Sequence, residues 1–247
     1  MKIAGIIPAR YESSRFPGKP LIEIKGKPMI IHTMENAASS PQLAKIIVAT
    51  DDERIKNTVQ NYGGNCILTS KSINSGTARC AAALEQLNEP FDAVINIQGD
   101  EPLIHQHHIN AIVKSLESQS EIATLAKKIS SDNELQNPNI VKVVINTYGK
   151  ALYFSRFPIP YIRNLSGVVS SQDYVFYKHI GLYGYQTNVL KNIVRLPPSG
   201  LEEAEKLEQL RWLDHNYSIH AEITTQESFG IDTPEDLKEL EKFMNHF

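Results

Sequence analysis

The chain has 247 residues, of which 41% are hydrophobic and 21% charged, the balance of an ordinary globular protein long enough to bury a core without disulfide or metal staples. A formal net charge of −3 excludes a general nucleic-acid binder, which needs a basic footprint, so any phosphate recognition must be local. Cys66 and Cys80 form no disulfide framework, and neither a signal peptide nor a run of roughly eighteen apolar residues is evident, so a cytoplasmic protein without membrane insertion is expected.

Ile3–Ile7 reads as a buried first strand, and the segment after it is the most informative in the chain. Within Ile6-Ile-Pro-Ala-Arg-Tyr-Glu-Ser-Ser-Arg-Phe-Pro-Gly-Lys-Pro20, three cations (Arg10, Arg15 and Lys19) lie among Ser13, Ser14, Pro17 and Gly18. A turn-rich loop with concentrated positive charge and free backbone N–H groups suits a polyphosphate. Taken alone, the loop also fits a solvated surface turn.

Further strands are expected at Ile46–Ala49, Cys66–Thr69 and Ala93–Ile97, alternating with helices at Met29–Ala38, Glu53–Tyr62 and Thr77–Leu87. Strand–helix alternation predicts βαβ units and a mainly parallel sheet. Ligands of such sheets sit at the C-terminal ends of the strands, which puts Arg10, Thr50-Asp51 and Gln98-Gly-Asp100 on one rim. Asp100, just past a Gly at the end of the fourth predicted strand, suits Mg²⁺, which takes one or two protein carboxylates; a plain turn fits the same residues as well, since Gly-Asp and Glu-Pro are common turn pairs. His105, His107 and His108 follow at a helix start and are expected to be solvated rather than metal-binding.

The second half changes character. Val141–Ile145 and Ala151–Phe154 flank Asn146-Thr-Tyr-Gly149, an antiparallel hairpin signal. A mobile loop is expected over Asn164–Asp173, a strand over His179–Tyr185, a helix over Leu201–Asn216, a strand over Ile219–Ile223 and a closing helix over Thr233–Phe247. Thr233, Pro234 and Asp236 account for one another as N-cap, first helical position and capping-box acid. Asp232 is left over, and is a candidate second carboxylate beside Asp100.

Seven segments occur in order: the PARxxSxRxPGKPL loop, VATDD at 48–52, SGTxR at 75–79, QGDEP at 98–102, ALYFSR at 151–156, LEQLR at 207–211 and DTPEDL at 232–237. In these the chain resembles the CMP-Kdo synthetase family, the 3-deoxy-manno-octulosonate cytidylyltransferases, from about Ile3 to Leu240. The resemblance implies a Rossmann-like nucleotide-diphospho-sugar transferase α/β fold, mainly parallel, with the antiparallel hairpin on the substrate and dimer side. It implies a single cytidylyltransferase domain, with a nucleotide-binding half over about 1–130, a substrate and dimerisation half over about 131–230, and a closing metal-site segment over 231–247. A homodimer, CTP and Kdo as substrates, and Mg²⁺ held by Asp100 and Asp232 are implied in the same way. The anomeric hydroxyl of Kdo would attack the α-phosphorus of CTP and release pyrophosphate.

By the same resemblance, Arg10 and Lys19 hold the triphosphate, Arg15 lies at the nucleotide–sugar boundary, and Ala9, Ser14, Ser75, Gly76 and Arg79 serve the nucleotide. Arg156 faces the sugar carboxylate, with Gln98, His179, Tyr183, Glu208 and Gln209 around the sugar. On residue type alone, Glu208 and Gln209 fit a polar helix face, and His179 and Tyr183 a half-buried strand. The family usually has an acid between Thr77 and Arg79; this chain has Ala78, which is expected to leave Arg79 without a local partner. Another acidic sugar such as 8-amino-Kdo, and a nucleotide-binding relic without turnover, are the competing readings.

Overall fold

The structure, a computed structural model, describes residues 1–12, 16–163, 167–231 and 233–244, without the side chains at 239 and 241–244. The chain divides into two compact units, Met1–Asn110 with Ser228–Phe247, and Ala111–Glu227. The sequence reading placed its halves at about 130 and 231.

In the first unit β1 (Ile3–Ala9) leads through a 3₁₀ turn and a short hairpin, β2 (Glu23–Ile24) and β3 (Lys27–Pro28), into α1 (Met29–Ala38). Then follow β4 (Lys45–Thr50), α2 (Glu53–Asn61), β5 (Cys66–Leu68), α3 (Gly76–Glu85), β6 (Ala93–Asn96) and the start of α4 (Gln106–Glu117). β1 pairs in parallel with β4 and β6, and β4 with β5. Ile6, Ile7, Val48, Ala49, Val94 and Ile95 are all buried, as expected of strands covered on both faces. Each of the Ile and Val side chains stabilises the fold by about 1.5–3 kcal/mol relative to exposure. The register sets Ala9 beside Thr50 and Ile6 beside Asn96, so the three strands end on one rim, as expected.

The second unit continues with β7 (Ile122–Lys128), α5 (Asp132–Gln136), β8 (Lys142–Ile145), β9 (Ala151–Ser155), β10 (Tyr177–Gln186), α6 (Thr187–Ile193), α7 (Gly200–Glu205), α8 (Glu208–Asp214) and β11 (Ile219–Thr224). β8 and β9 form the expected antiparallel hairpin, β10 runs antiparallel to β7 and β8, and β11 is parallel to β7. The last helix, α9 (Pro234–Met244), belongs to the first unit. Its start is a complete capping box: the Asp236 amide donates to Thr233 Oγ1 at 3.2 Å and the Thr233 amide to Asp236 Oδ2 at 2.7 Å.

Two expectations need correction. The helix over Leu201–Asn216 is two helices, because Lys206 ends α7 in the left-handed region (φ 54°) and Leu207 is extended with its side chain buried. His108 is buried on α4, while His105 and His107 are exposed and stack at 4.9 Å. At the end of the stretch read as a mobile loop, Asp132 Oδ1 accepts from the Ser171 amide at 2.6 Å and from both Ser170 and Ser171 hydroxyls. Residues 164–166 of that loop lie outside the described residues.

Candidate active site

In the first unit, Arg10 follows β1, Asp51 follows β4, and α3 starts at the loop after β5. Arg10 donates to the Ile73 carbonyl at 2.9 Å and to Asn74 Oδ1 at 3.3 Å, with its Nε 3.8 Å from Asp51 Oδ2. Arg79 reaches the same loop from α3. Its side chain is 1% exposed, and it donates to Asp51 Oδ2 at 2.9 Å, to the Ile73 carbonyl at 3.1 Å and to the Thr69 hydroxyl. Desolvation pulls the Arg79 pKa down, and the Asp51 carboxylate opposes that pull. The expectation that Arg79 lacks a local partner is therefore corrected: its partner is Asp51, distant in sequence and adjacent across the strand ends. Asp51 sits between two guanidiniums that grip one loop carbonyl.

Ser75 caps α3, its hydroxyl accepting from the Ala78 amide at 3.1 Å. That makes residue 78 the N3 position, where an acid would complete a capping box and favour the helix dipole, with no bearing on Arg79. Ala78→Glu should raise Tm by about 1–3 °C and change the apparent CTP affinity several-fold at most. Thermal melts and CTP titration check this; complete loss or a large gain of turnover would contradict it.

Lys19 and Asp100 meet on the same rim. Gly18, at φ 73°, donates its amide to the Tyr11 carbonyl at 2.8 Å and turns the chain into the Lys19–Leu21 3₁₀ turn. Gly99 precedes Asp100, and a Cβ there would stand 2.8 Å from the Pro8 carbonyl oxygen, so only glycine lets this segment close on β1. Lys19 Nζ lies 2.6 Å from Asp100 Oδ2. The Ile231 amide donates to the Asp100 carbonyl at 2.9 Å, joining the segment before Asp232 to the loop after β6. Ser14, Arg15 and Asp232 themselves lie outside the described residues. A partly exposed carboxylate balanced by a lysine is a hard-oxygen donor suited to Mg²⁺, so Asp100 fits the implied metal. Beside it, burial and the Asp100 charge push the Glu101 carboxyl up to about 7. Gln98 is half-buried on this rim. Asn96, which sequence reasoning passed over, ends β6 with a buried Oδ1 that has no hydrogen-bond partner among the described residues.

The second unit holds the other residues assigned to the sugar. Arg156, after β9, donates from Nε to the Glu205 carbonyl at 2.8 Å and from its terminal nitrogens to the Pro138 and Lys206 carbonyls at 3.1 and 3.4 Å. Its amide and the Ser155 hydroxyl both donate to the Glu205 carboxylate. The guanidinium is thus fixed in direction by backbone carbonyls. On β10 the His179 ring stands edge-on to Phe154 at 5.1 Å and tilted to Tyr183 at 5.2 Å, and Tyr183 meets Trp212 of α8 edge-on at 5.1 Å. The Tyr183 hydroxyl is buried, and burial with the nearby Glu208 charge raises its pKa well above the phenol range, against the opposing pull of the Thr124 hydroxyl. Gln209 is buried at the start of α8, so the polar-helix-face reading does not hold for it.

Burial holds the His179 pKa down at about 3 against an ordinary 6.5. The unfolded chain therefore binds more protons between those values, and stability falls as pH drops below about 6.5. His179→Gln should melt with a shallower loss of Tm between neutral pH and about pH 5 than the parent, and parallel curves would contradict it.

Residues 4–222 match the family model described as cytidylyltransferase. A 3-deoxy-manno-octulosonate cytidylyltransferase of Cytophaga hutchinsonii is 49% identical over 238 residues, 96% of this chain and 95% of that protein. An 8-amino-3,8-dideoxy-manno-octulosonate cytidylyltransferase of Shewanella halifaxensis is 45% identical over 242 residues, 96% of each chain. A solved CMP:2-keto-3-deoxy-manno-octonic acid synthetase in complex with CTP superposes with a TM-score of 0.92 at 40% identity, over 100% of this chain and 99% of the other.

Proposed function

Because this chain belongs to the cytidylyltransferase family, we propose that it transfers CMP from CTP to 3-deoxy-manno-octulosonate, the activation step that lipopolysaccharide synthesis needs. The observation that carries the chemistry is the Lys19–Asp100 pair at 2.6 Å, on the rim that Arg10 shares. Lys19 exchanges Asp100 for phosphate oxygens when the triphosphate arrives, and Arg10 adds a second cation from the end of β1. Asp100 and Asp232 would hold Mg²⁺, which neutralises phosphate charge when bound. The anomeric oxygen of the sugar attacks the α-phosphorus, the bond to the bridging β-phosphate oxygen breaks, and pyrophosphate leaves. The protein positions and neutralises rather than forming a covalent intermediate. Arg156 faces the sugar carboxylate, with Gln98, His179, Tyr183, Glu208 and Gln209 about the rest.

A homodimer is part of the same proposal. Leu152, Phe157 and Tyr161, on and just after the hairpin, are exposed apolar side chains of the sort a second copy covers. Among the described residues no helix is long and apolar enough to cross a membrane; the proposal places the enzyme in the cytoplasm. The relative from Shewanella supports 8-amino-Kdo as a second reading of the sugar.

The test is pyrophosphate release from CTP and Mg²⁺ with Kdo, with 8-amino-Kdo and with neither. Release that depends on Kdo supports the proposal. Release with the amino sugar alone transfers it to the second reading, and CTP binding without release on either overturns the enzyme.

A further inference from the structure

Thr124 lies within β7 with no solvent exposure, in the second unit. Its hydroxyl oxygen is 2.9 Å from His179 Nε2, 2.9 Å from the Leu182 carbonyl oxygen and 3.2 Å from that of Ile180. A carbonyl can only accept, so the one hydroxyl proton is donated to β10, most directly to Leu182. The oxygen is then left as an acceptor toward the ring, and Nε2 must be the nitrogen that carries hydrogen. With the imidazole held neutral by burial, Nδ1 keeps a lone pair, while the ring meets Thr124 through Nε2. The pairing of β10 with β7 shifts register between Ile180 and Gly184. Both carbonyls that Thr124 reaches bound or lie in this irregular stretch, which also carries Tyr183, whose buried hydroxyl Thr124 faces as well.

We propose that Thr124 is a positioning residue for the sugar site: its hydroxyl fixes His179 as the Nε2–H tautomer, so that Nδ1 accepts from a sugar hydroxyl, and it pins the irregular stretch that aims Tyr183. This rests on the reading of His179 and Tyr183 as sugar contacts. On this account His179 reads a hydroxyl donor and not the carboxylate, which leaves the acidic group to a cation such as Arg156. A threonine is suited to the task because it supplies one donor and one acceptor from a rigid, β-branched stem.

The test pairs spectroscopy with kinetics. Long-range ¹H–¹⁵N correlation spectra of ¹⁵N-histidine-labelled protein distinguish the two neutral tautomers, and the signal lost in His179→Gln assigns the ring among the eight histidines. The parent should show the Nε2–H form. Thr124→Val should lose that preference and raise KM for Kdo about tenfold, with KM for CTP unchanged, as removal of one hydrogen bond at a fixed site would. Thr124→Ser should restore both. An Nδ1–H ring in the parent, an equal rise in both KM values, or no rescue by serine would overturn the proposal. The parent spectrum and Thr124→Ser decide it even if the valine variant does not fold. Absence of Kdo-dependent release in the parent would sink the catalytic reading, while the tautomer spectrum still reports on Thr124 by itself.

Discussion

Asp100→Asn should lower turnover by about 100-fold or more, close to 3 kcal/mol of lost transition-state stabilisation, while leaving Tm nearly unchanged. The substitution keeps the shape of the side chain and removes its charge. The backbone link that joins this loop to the closing segment, from the Ile231 amide to the Asp100 carbonyl, does not depend on the carboxylate. Lys19 loses its partner, but the pair is partly exposed at both ends, with side chains 14% and 31% accessible, so water takes up much of the released charge. What does not recover is a hard anionic donor where the triphosphate and its cation must be held together. Pyrophosphate release measured at saturating CTP, Kdo and Mg²⁺, alongside a thermal melt, separates the two effects. Turnover within threefold of the parent would remove Asp100 from the chemistry. A Tm lowered by many degrees would assign the loss to folding instead.

The features visible in the sequence are those with a local cause. Met29–Ala38 was predicted and found with the same bounds because its apolar spacing follows the helix period and the chain before it is a tight hairpin. The strands that lead into Arg10 and Asp51 were legible as short, continuous apolar runs, and the strand-end rule then placed their loops on one rim. The capping box at Thr233 and Asp236 was legible for the same reason: all its hydrogen bonds lie within four residues. What escaped notice depends on separation in sequence. Asp51 and Arg79 are 28 residues apart and meet only because the loop after β4 and the start of α3 reach the same rim of the sheet. Thr124 and His179 are 55 residues apart and meet through strand pairing whose register no local pattern gives. The break at Lys206 was missed because a lysine carries no breaker signal; the left-handed turn there answers to the burial of Leu207 and to the Glu205 clamp on Arg156.

Arg79→Met should destabilise the protein by about 3 kcal/mol, a fall in Tm of roughly 6–12 °C, and raise KM for CTP about tenfold without changing KM for Kdo. Methionine keeps the length of the stem and some of its packing, so the cost comes from the charge and its donors. Asp51 would be left with Arg10 at 3.8 Å as its remaining cation, and the Ile73 carbonyl would lose one of its two guanidinium donors. Both losses fall on the 69–75 loop that ends in the Ser75 cap of α3, the segment assigned to the nucleotide. Lysine is no substitute, because a single ammonium cannot reach Thr69, Asp51 and Ile73 together as the fork does. Arg79→Lys should therefore resemble the methionine variant in Tm. An arginine that simply offered positive charge to a phosphate would be largely replaced by lysine, and a lysine variant with parent-like KM for CTP and parent-like Tm would establish that role instead. The decisive arm is the double variant with Asp51→Asn. If the two residues act as a pair, the losses of stability will be well short of additive, since the second change removes a charge that the first has already stranded.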